Sequence, residues 1–182
     1  MRKINEIFYS LQGEGFYTGT PAVFIRFSGC NLKCSFCDTQ HEEGALMSDD
    51  EILAEVEKYP ATLVILTGGE PSLWIDSEFI NRLHQAGKYV CIETNGTLLL
   101  PDNIDWVTCS PKQGARVEIM RIDELKVVYE GQDITAYERL FSAKHYFLQP
   151  CSCSNTNETV DCVMRHPKWR LSLQTHKLID IH

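Results

Sequence analysis

Residues 63–96 read LVILTGGEPSLWIDSEFINRLHQAGKYVCIETNG. The run from Leu63 to Leu66 is apolar without a break, as expected of a strand buried on both faces. A glycine-rich loop, Thr67-Gly68-Gly69-Glu70-Pro71, follows it. Residues 76–86 then place Phe79, Ile80 and Leu83 on one helical stripe, and Gly87 stops them. A second apolar run, 89–92, ends on Glu93-Thr94-Asn95-Gly96. Strand, loop, helix and strand in that order make a βα unit of a parallel sheet.

The same punctuation extends in both directions. Residues 22–27, 106–107, 125–129 and 146–148 read as further buried strands. Residues 48–58 read as a helix opened by Ser48, with Glu51 three positions on in capping-box spacing. Residues 134–141 read as a shorter helix. The fold class is therefore α/β, and about six strands are too few for a closed eight-stranded barrel. Chemistry in such folds gathers at the carboxyl ends of the strands. Every conspicuous loop falls there: the cysteine loop after the first strand, then TGGEP, ETNG, Ser110-Pro111-Lys112 and Gln149-Pro150. One site ringed by loops is expected.

The chain has 182 residues, enough for a single domain over residues 1–182. It carries 17 Lys and Arg against 25 Asp and Glu, a net charge of −8, which argues against nucleic acid or an anionic membrane as partner. No apolar run approaches the roughly 18 residues of a spanning helix, and none follows the basic start at Arg2 and Lys3. A cytoplasmic protein is expected. Eight cysteines without an export signal point to metal binding or buried thiols rather than disulfides.

Three of them form Cys30-x-x-x-Cys34-x-x-Cys37. Three thiolates in so short a loop can wrap one soft metal centre and leave a metal position open, as catalysis requires. The competing reading is a closed zinc site completed by His41 or a distant cysteine. Cys91 and Cys109, inside strand-like runs, read as small core residues, and Cys151, Cys153 and Cys162 as either a second metal site or, the favoured reading, incidental thiols.

The spacing, with Phe36 before the last cysteine and GGEP downstream, resembles the radical S-adenosylmethionine superfamily. Tyr9-Ser10-Leu11-Gln12-Gly13-Glu14-Gly15, Phe24-Ile25-Arg26-Phe27, Cys37-Asp38-Thr39, TGGEP, ETNG, SPK, LQP and Gln174-Thr175-His176-Lys177 together resemble the 7-carboxy-7-deazaguanine synthases of queuosine and deazapurine biosynthesis, over nearly the whole chain. That resemblance implies a truncated, modified (βα)6-like partial TIM barrel. It implies a homodimer with a [4Fe–4S] cluster on Cys30, Cys34 and Cys37, S-adenosylmethionine on the fourth iron, and Mg²⁺ on Thr39. It implies radical ring contraction of 6-carboxy-5,6,7,8-tetrahydropterin with loss of ammonia, fed by a flavodoxin- or ferredoxin-type electron donor. Phe36, Cys37, Asp38, Gly68, Gly69, Glu93, Ser110, Pro111, Lys112, Gln149 and Pro150 would line the cofactor. Leu11, Gln12, Gly13, Arg26, Thr67 and His182 would face the pterin, with the Arg26 guanidinium suited to its carboxylate. The rival inside the superfamily is a small activase that makes a glycyl radical on a partner protein.

Overall fold

The computed structural model describes residues 1–34, 37 and 43–182. Phe36, Asp38, Thr39 and His41 lie outside them. In chain order come β1 (Arg2–Leu11), β2 (Pro21–Phe27), β3 (Ala45–Met47), α1 (Asp49–Val56), β4 (Leu63–Gly68), α2 (Ser77–Gln85), β5 (Tyr89–Thr94), β6 (Trp106–Cys109), β7 (Glu124–Tyr129), α3 (Thr135–Leu140), β8 (His145–Pro150), α4 (Thr156–Arg165), β9 (Arg170–Leu171) and α5 (Thr175–Leu178). Single 3₁₀ turns cover Pro71–Leu73 and Cys151–Cys153.

All described strands join one sheet in the order β3-β1-β2-β4-β5-β6-β7-β8-β9. From β2 to β9 every pairing is parallel, while β1 pairs antiparallel with both β2 and β3. The sheet is an open, partial barrel. Among the described residues no helix occupies the β5–β6 or β6–β7 connection, so only part of the ring carries its outer helix. Among the same residues no helix is long and apolar enough to cross a membrane.

The outer face explains why the strand runs are apolar on alternate residues. Val23, Ile25, Phe27, Val64, Leu66, Val90, Ile92, Leu125 and Val127 share one buried core with Ile52, Val56, Phe79, Ile80 and Leu83 of α1 and α2. Each such side chain, fully buried, contributes roughly 1.5–3 kcal/mol, so packing rather than helix propensity holds these short helices. Their ends are fixed locally: Ser48 and Glu51 form the full capping box, and Asp76 caps α2 through the Phe79 N–H at 2.9 Å.

The inner face changes character along the strands. Ala22, Phe24, Leu63, Ile65, Cys91 and Trp106 form an apolar cluster toward the amino ends. One or two positions further on stand Arg26, Thr67, Glu93, Thr108, Glu124 and Lys126, with Arg26 paired to Thr67 and Glu93 to Thr108. The β1–β2 turn, residues 12–20, folds across this face. Its Gln12 and Glu14 reach the polar row, and its Phe16 and Tyr17 turn down onto Trp106, His145 and Tyr89.

Candidate active site

The glycine-rich loop after β4 is built against the cysteine loop. Gly69 donates its N–H to the Phe27 carbonyl at 3.0 Å, and Glu70 donates to the Gly29 carbonyl at 2.8 Å. Gly68 sits at φ +118°, where a side chain would run into Phe27 and Arg26, and a Cβ on Gly69 would meet the Gly29 carbonyl. These glycines are thus required by loop-on-loop packing within the protein itself.

Glu70 ties that pair of loops to the end of β5. It is buried, and its carboxylate accepts from the Thr94 hydroxyl at 2.6 Å, the Asn95 N–H at 2.8 Å, the Ser72 hydroxyl at 2.7 Å and the Ser72 N–H at 3.1 Å. Asn95 in turn donates to Asn31 at 2.9 Å, and Asn31 to Thr97 at 2.7 Å, so the cysteine loop is held from two sides. Glu70→Ala strips an acceptor from buried donors, each worth about 1–3 kcal/mol if left unpaired. The expected result is a loss of about 3 kcal/mol in urea unfolding, with Glu70→Gln losing less.

Cys30 and Cys34 are half-buried and Cys37 is exposed; none of the eight cysteines is bridged. Burial raises the Cys30 thiol, and Glu70, Cys34 and Cys37 push it the same way, so the three thiols lie close enough to feel one another. Among the described residues no three His, Cys, Asp or Glu side chains form a ready-made ligand set. The donor chemistry fits an iron–sulfur cluster: three accessible thiols from one loop at the carboxyl ends of the strands.

Beside that loop, Ser110 takes the Thr94 carbonyl at 2.8 Å and accepts from the Lys112 ammonium at 2.8 Å. Burial depresses Lys112, and the neighbouring Cys34 works against that. Pro111 is buried. The SPK segment is thus tied to the end of β5.

The centre of the cup is a charged network. Lys126, buried, contacts Glu14 directly and Glu93 at 3.2 Å. Glu93 also accepts from Gln12 Nε2 and Thr67 Oγ1, both at 3.1 Å. Glu14 accepts from Gln149 at 3.1 Å and Gln174 at 2.8 Å. Burial alone would raise the Glu14 carboxyl, but Lys126 and Gln174 outweigh it and hold it near a pKa of about 2. Burial likewise opposes charge on Lys126, yet Glu14, Glu93 and Glu124 raise it well above an ordinary lysine. Glu124, deeper and held by the Phe16 N–H at 3.0 Å, is raised by burial to about 7.

The expected pterin-facing residues divide. Gln12 and Thr67 join this network. Leu11 is partly exposed at the end of β1. Gly13 accepts from the Thr175 N–H at 2.9 Å and hydroxyl at 3.1 Å, so the QTHK segment clasps it, and a Cβ there would strike His176. Arg26 and His182 share Glu6. Gln149 joins the network through Glu14, and buried Pro150 ends β8 beside it. Glu14 and Gln174 stand in motifs quoted above but were given no role, and Lys126 was not singled out by the sequence reading. Glu124 and Lys126 two residues apart in the buried strand β7, ELKVVY, were the available signal. After β8, Ser152 and Cys153 adopt positive φ in the Cys151–Cys153 turn, and the Cys153 thiol lies 4.0 Å from Gln174. Cys91 and Cys109 are buried in the core.

Residues 24–112, which hold the cysteine loop, GGEP, ETNG and SPK, match the Radical SAM superfamily. Over the full length, the chain is 81% identical to the 7-carboxy-7-deazaguanine synthase of Bacteroides thetaiotaomicron, covering 100% of this chain and 99% of that one. The chain belongs to the 7-carboxy-7-deazaguanine synthase family. The Burkholderia multivorans member is 40% identical over 98% of each chain. The crystal structure of QueE from Escherichia coli superposes with a TM-score of 0.80 at 31% identity, covering 94% of this chain and 93% of that one. Membership in this synthase family makes the protein a radical SAM enzyme whose cofactors are a [4Fe–4S] cluster and S-adenosylmethionine. The partial barrel expected from the sequence agrees with the family fold.

Proposed function

We propose that the protein converts 6-carboxy-5,6,7,8-tetrahydropterin to 7-carboxy-7-deazaguanine with release of ammonia, in queuosine biosynthesis. The observation that supports this most is the polar row of Arg26, Thr67, Glu93 and Lys126, met by Gln12 and Glu14 from the β1–β2 turn, on strands of which β2 leads into the three-thiol loop. Cys30, Cys34 and Cys37 would hold the cluster, which would supply one-electron reducing chemistry toward S-adenosylmethionine.

The chain's own residues bind and orient. Arg26 takes the substrate carboxylate, Gln12 and Thr67 address polar edges of the pterin, and Leu11 and Gly13 bound it through backbone. Glu93 takes the cofactor ribose; a carboxylate has about four acceptor positions, so its contacts to Gln12, Thr67 and Lys126 leave capacity. Gly68, Gly69, Ser110, Pro111, Lys112, Gln149 and Pro150 wall the cofactor, with Phe36, Cys37 and Asp38 at its adenine end. Thr39 holds Mg²⁺, His182 lies toward the substrate, and a second copy of the chain and a flavodoxin- or ferredoxin-type donor complete the cytoplasmic enzyme.

The test is turnover without oxygen, with reconstituted cluster, dithionite, S-adenosylmethionine, Mg²⁺ and the pterin, followed by mass spectrometry. Product formed with no partner protein present is the expected result. Cleavage of S-adenosylmethionine without product would overturn the substrate assignment alone.

A further inference from the structure

We propose that Glu6 is a positioning residue that aims the Arg26 guanidinium at a ligand carboxylate, an inference that rests on the function proposed above. Glu6 of β1 stands directly opposite Arg26 of β2 in the antiparallel register, with Phe8 opposite Phe24. Glu6 Oε1 accepts from Arg26 Nε at 2.6 Å. Among the described residues this is the hydrogen bond the Arg26 side chain makes. A guanidinium carries five donors in a fixed fork. Engaging Nε fixes the plane of the group and leaves the Nη1 and Nη2 edge for two parallel bonds to a carboxylate.

Glu6 is itself fixed. Its Oε2 meets His182 Nε2 at 3.0 Å, and the His182 carbonyl accepts from Ser10 at 2.8 Å. The Phe8 ring lies beneath this group. It stacks on Phe24 at 4.8 Å, takes the His182 ring edge-on at 4.1 Å, and has the Arg26 guanidinium over it at 5.5 Å. An ion pair serving only stability would contribute little at this exposure, 23% for Arg26 and 34% for Glu6. Its placement beside Thr67 on the inner face, bonded through Nε alone, fits an arginine held ready for a ligand.

Pre-ordering matters because a long flexible side chain otherwise loses its freedom at the moment of binding. Calorimetry on the cluster-loaded enzyme with S-adenosylmethionine tests this with two probes: 7-carboxy-7-deazaguanine, and 7-deazaguanine, which lacks the carboxylate. Glu6→Gln is expected to weaken the carboxylated probe by about tenfold, and to leave 7-deazaguanine within about twofold. Glu6→Asp, which keeps the charge, is expected to recover part of the loss. Equal weakening of both probes would make Glu6 a merely structural residue and overturn the inference. Unchanged or tighter binding of the carboxylated probe would make Glu6 a competitor for Arg26 and overturn it as well. Normal turnover of the pterin by the wild type beside either result keeps the proposed function and removes only the role of Glu6. A wild type that turns over no pterin overturns the function first.

Discussion

Cys34→Ala is expected to yield a folded protein that assembles no stable [4Fe–4S] cluster and cleaves no S-adenosylmethionine above background. Cys34 lies in a loop, half-buried and unbridged, so its truncation leaves the sheet and its outer helices untouched. A loop substitution of this kind changes stability by about 0.5 kcal/mol or less. The chemistry is affected far more. Three protein thiolates and one open metal position are what the loop offers, and with two thiolates a four-iron cluster has no adequate cradle. The loss in activity should exceed the roughly 10–100-fold that follows removal of a mere outer-shell partner. Iron and sulfide content, visible absorption and 5′-deoxyadenosine formation read it directly. An intact cluster with ordinary cleavage in Cys34→Ala would show that the loop does not ligate as proposed.

Lys126→Met should produce the second large effect, this time on stability. Lys126 is buried between Glu14 and Glu93, whose side chains are 14% and 26% exposed. Removing one partner of a buried pair leaves an uncompensated charge, which costs about 3–5 kcal/mol. The pH dependence follows from Glu14. Its folded pKa, about 2, lies below its ordinary value of 4.5. That depressed carboxyl contributes stability fully above the unfolded pKa and loses it as pH falls toward 2. In Lys126→Met the carboxyl loses its main counter-charge and its pKa rises. The variant should therefore be weakest relative to wild type at neutral pH, and the gap should narrow on acidification below 4.5. Adding Glu14→Gln should recover part of the loss. Urea unfolding at a series of pH values, with and without Glu14→Gln, measures both. A pH-independent penalty would mean that lost packing, not charge, dominates.

The parts of the fold that were legible are those whose burial is two-sided. All six apolar runs are strands, because their outward side chains belong to one buried core and their inward ones meet the apolar cluster or the polar row. β1 was not legible: residues 2–11 read RKINEIFYSL, where polar pairs at 2–3 and 5–6 break any alternation, and the pairing shifts register between Ile4 and Glu6. β3 and β9 are edge strands of three and two residues, too short to carry a pattern. α4 buries Thr159 and Cys162 rather than an aliphatic stripe. At the site, the loops were legible because strand ends and chemistry-bearing residues coincide. Lys126 was hidden because a lysine within an apolar strand reads as core until its carboxylate partners, Glu14 from 112 positions away and Glu93 from 33, are in view. The Arg26–Glu6 pair required the register of a strand the pattern did not reveal.

The inward fold of residues 12–20 closes one end of the site. Phe16 and Tyr17 stack with Trp106, His145 and Tyr89 at the amino ends of the strands, and Glu124 is sealed above them. The cup therefore has an aromatic stopper at its base, and its polar side faces the end that carries the thiols and the GGEP backbone.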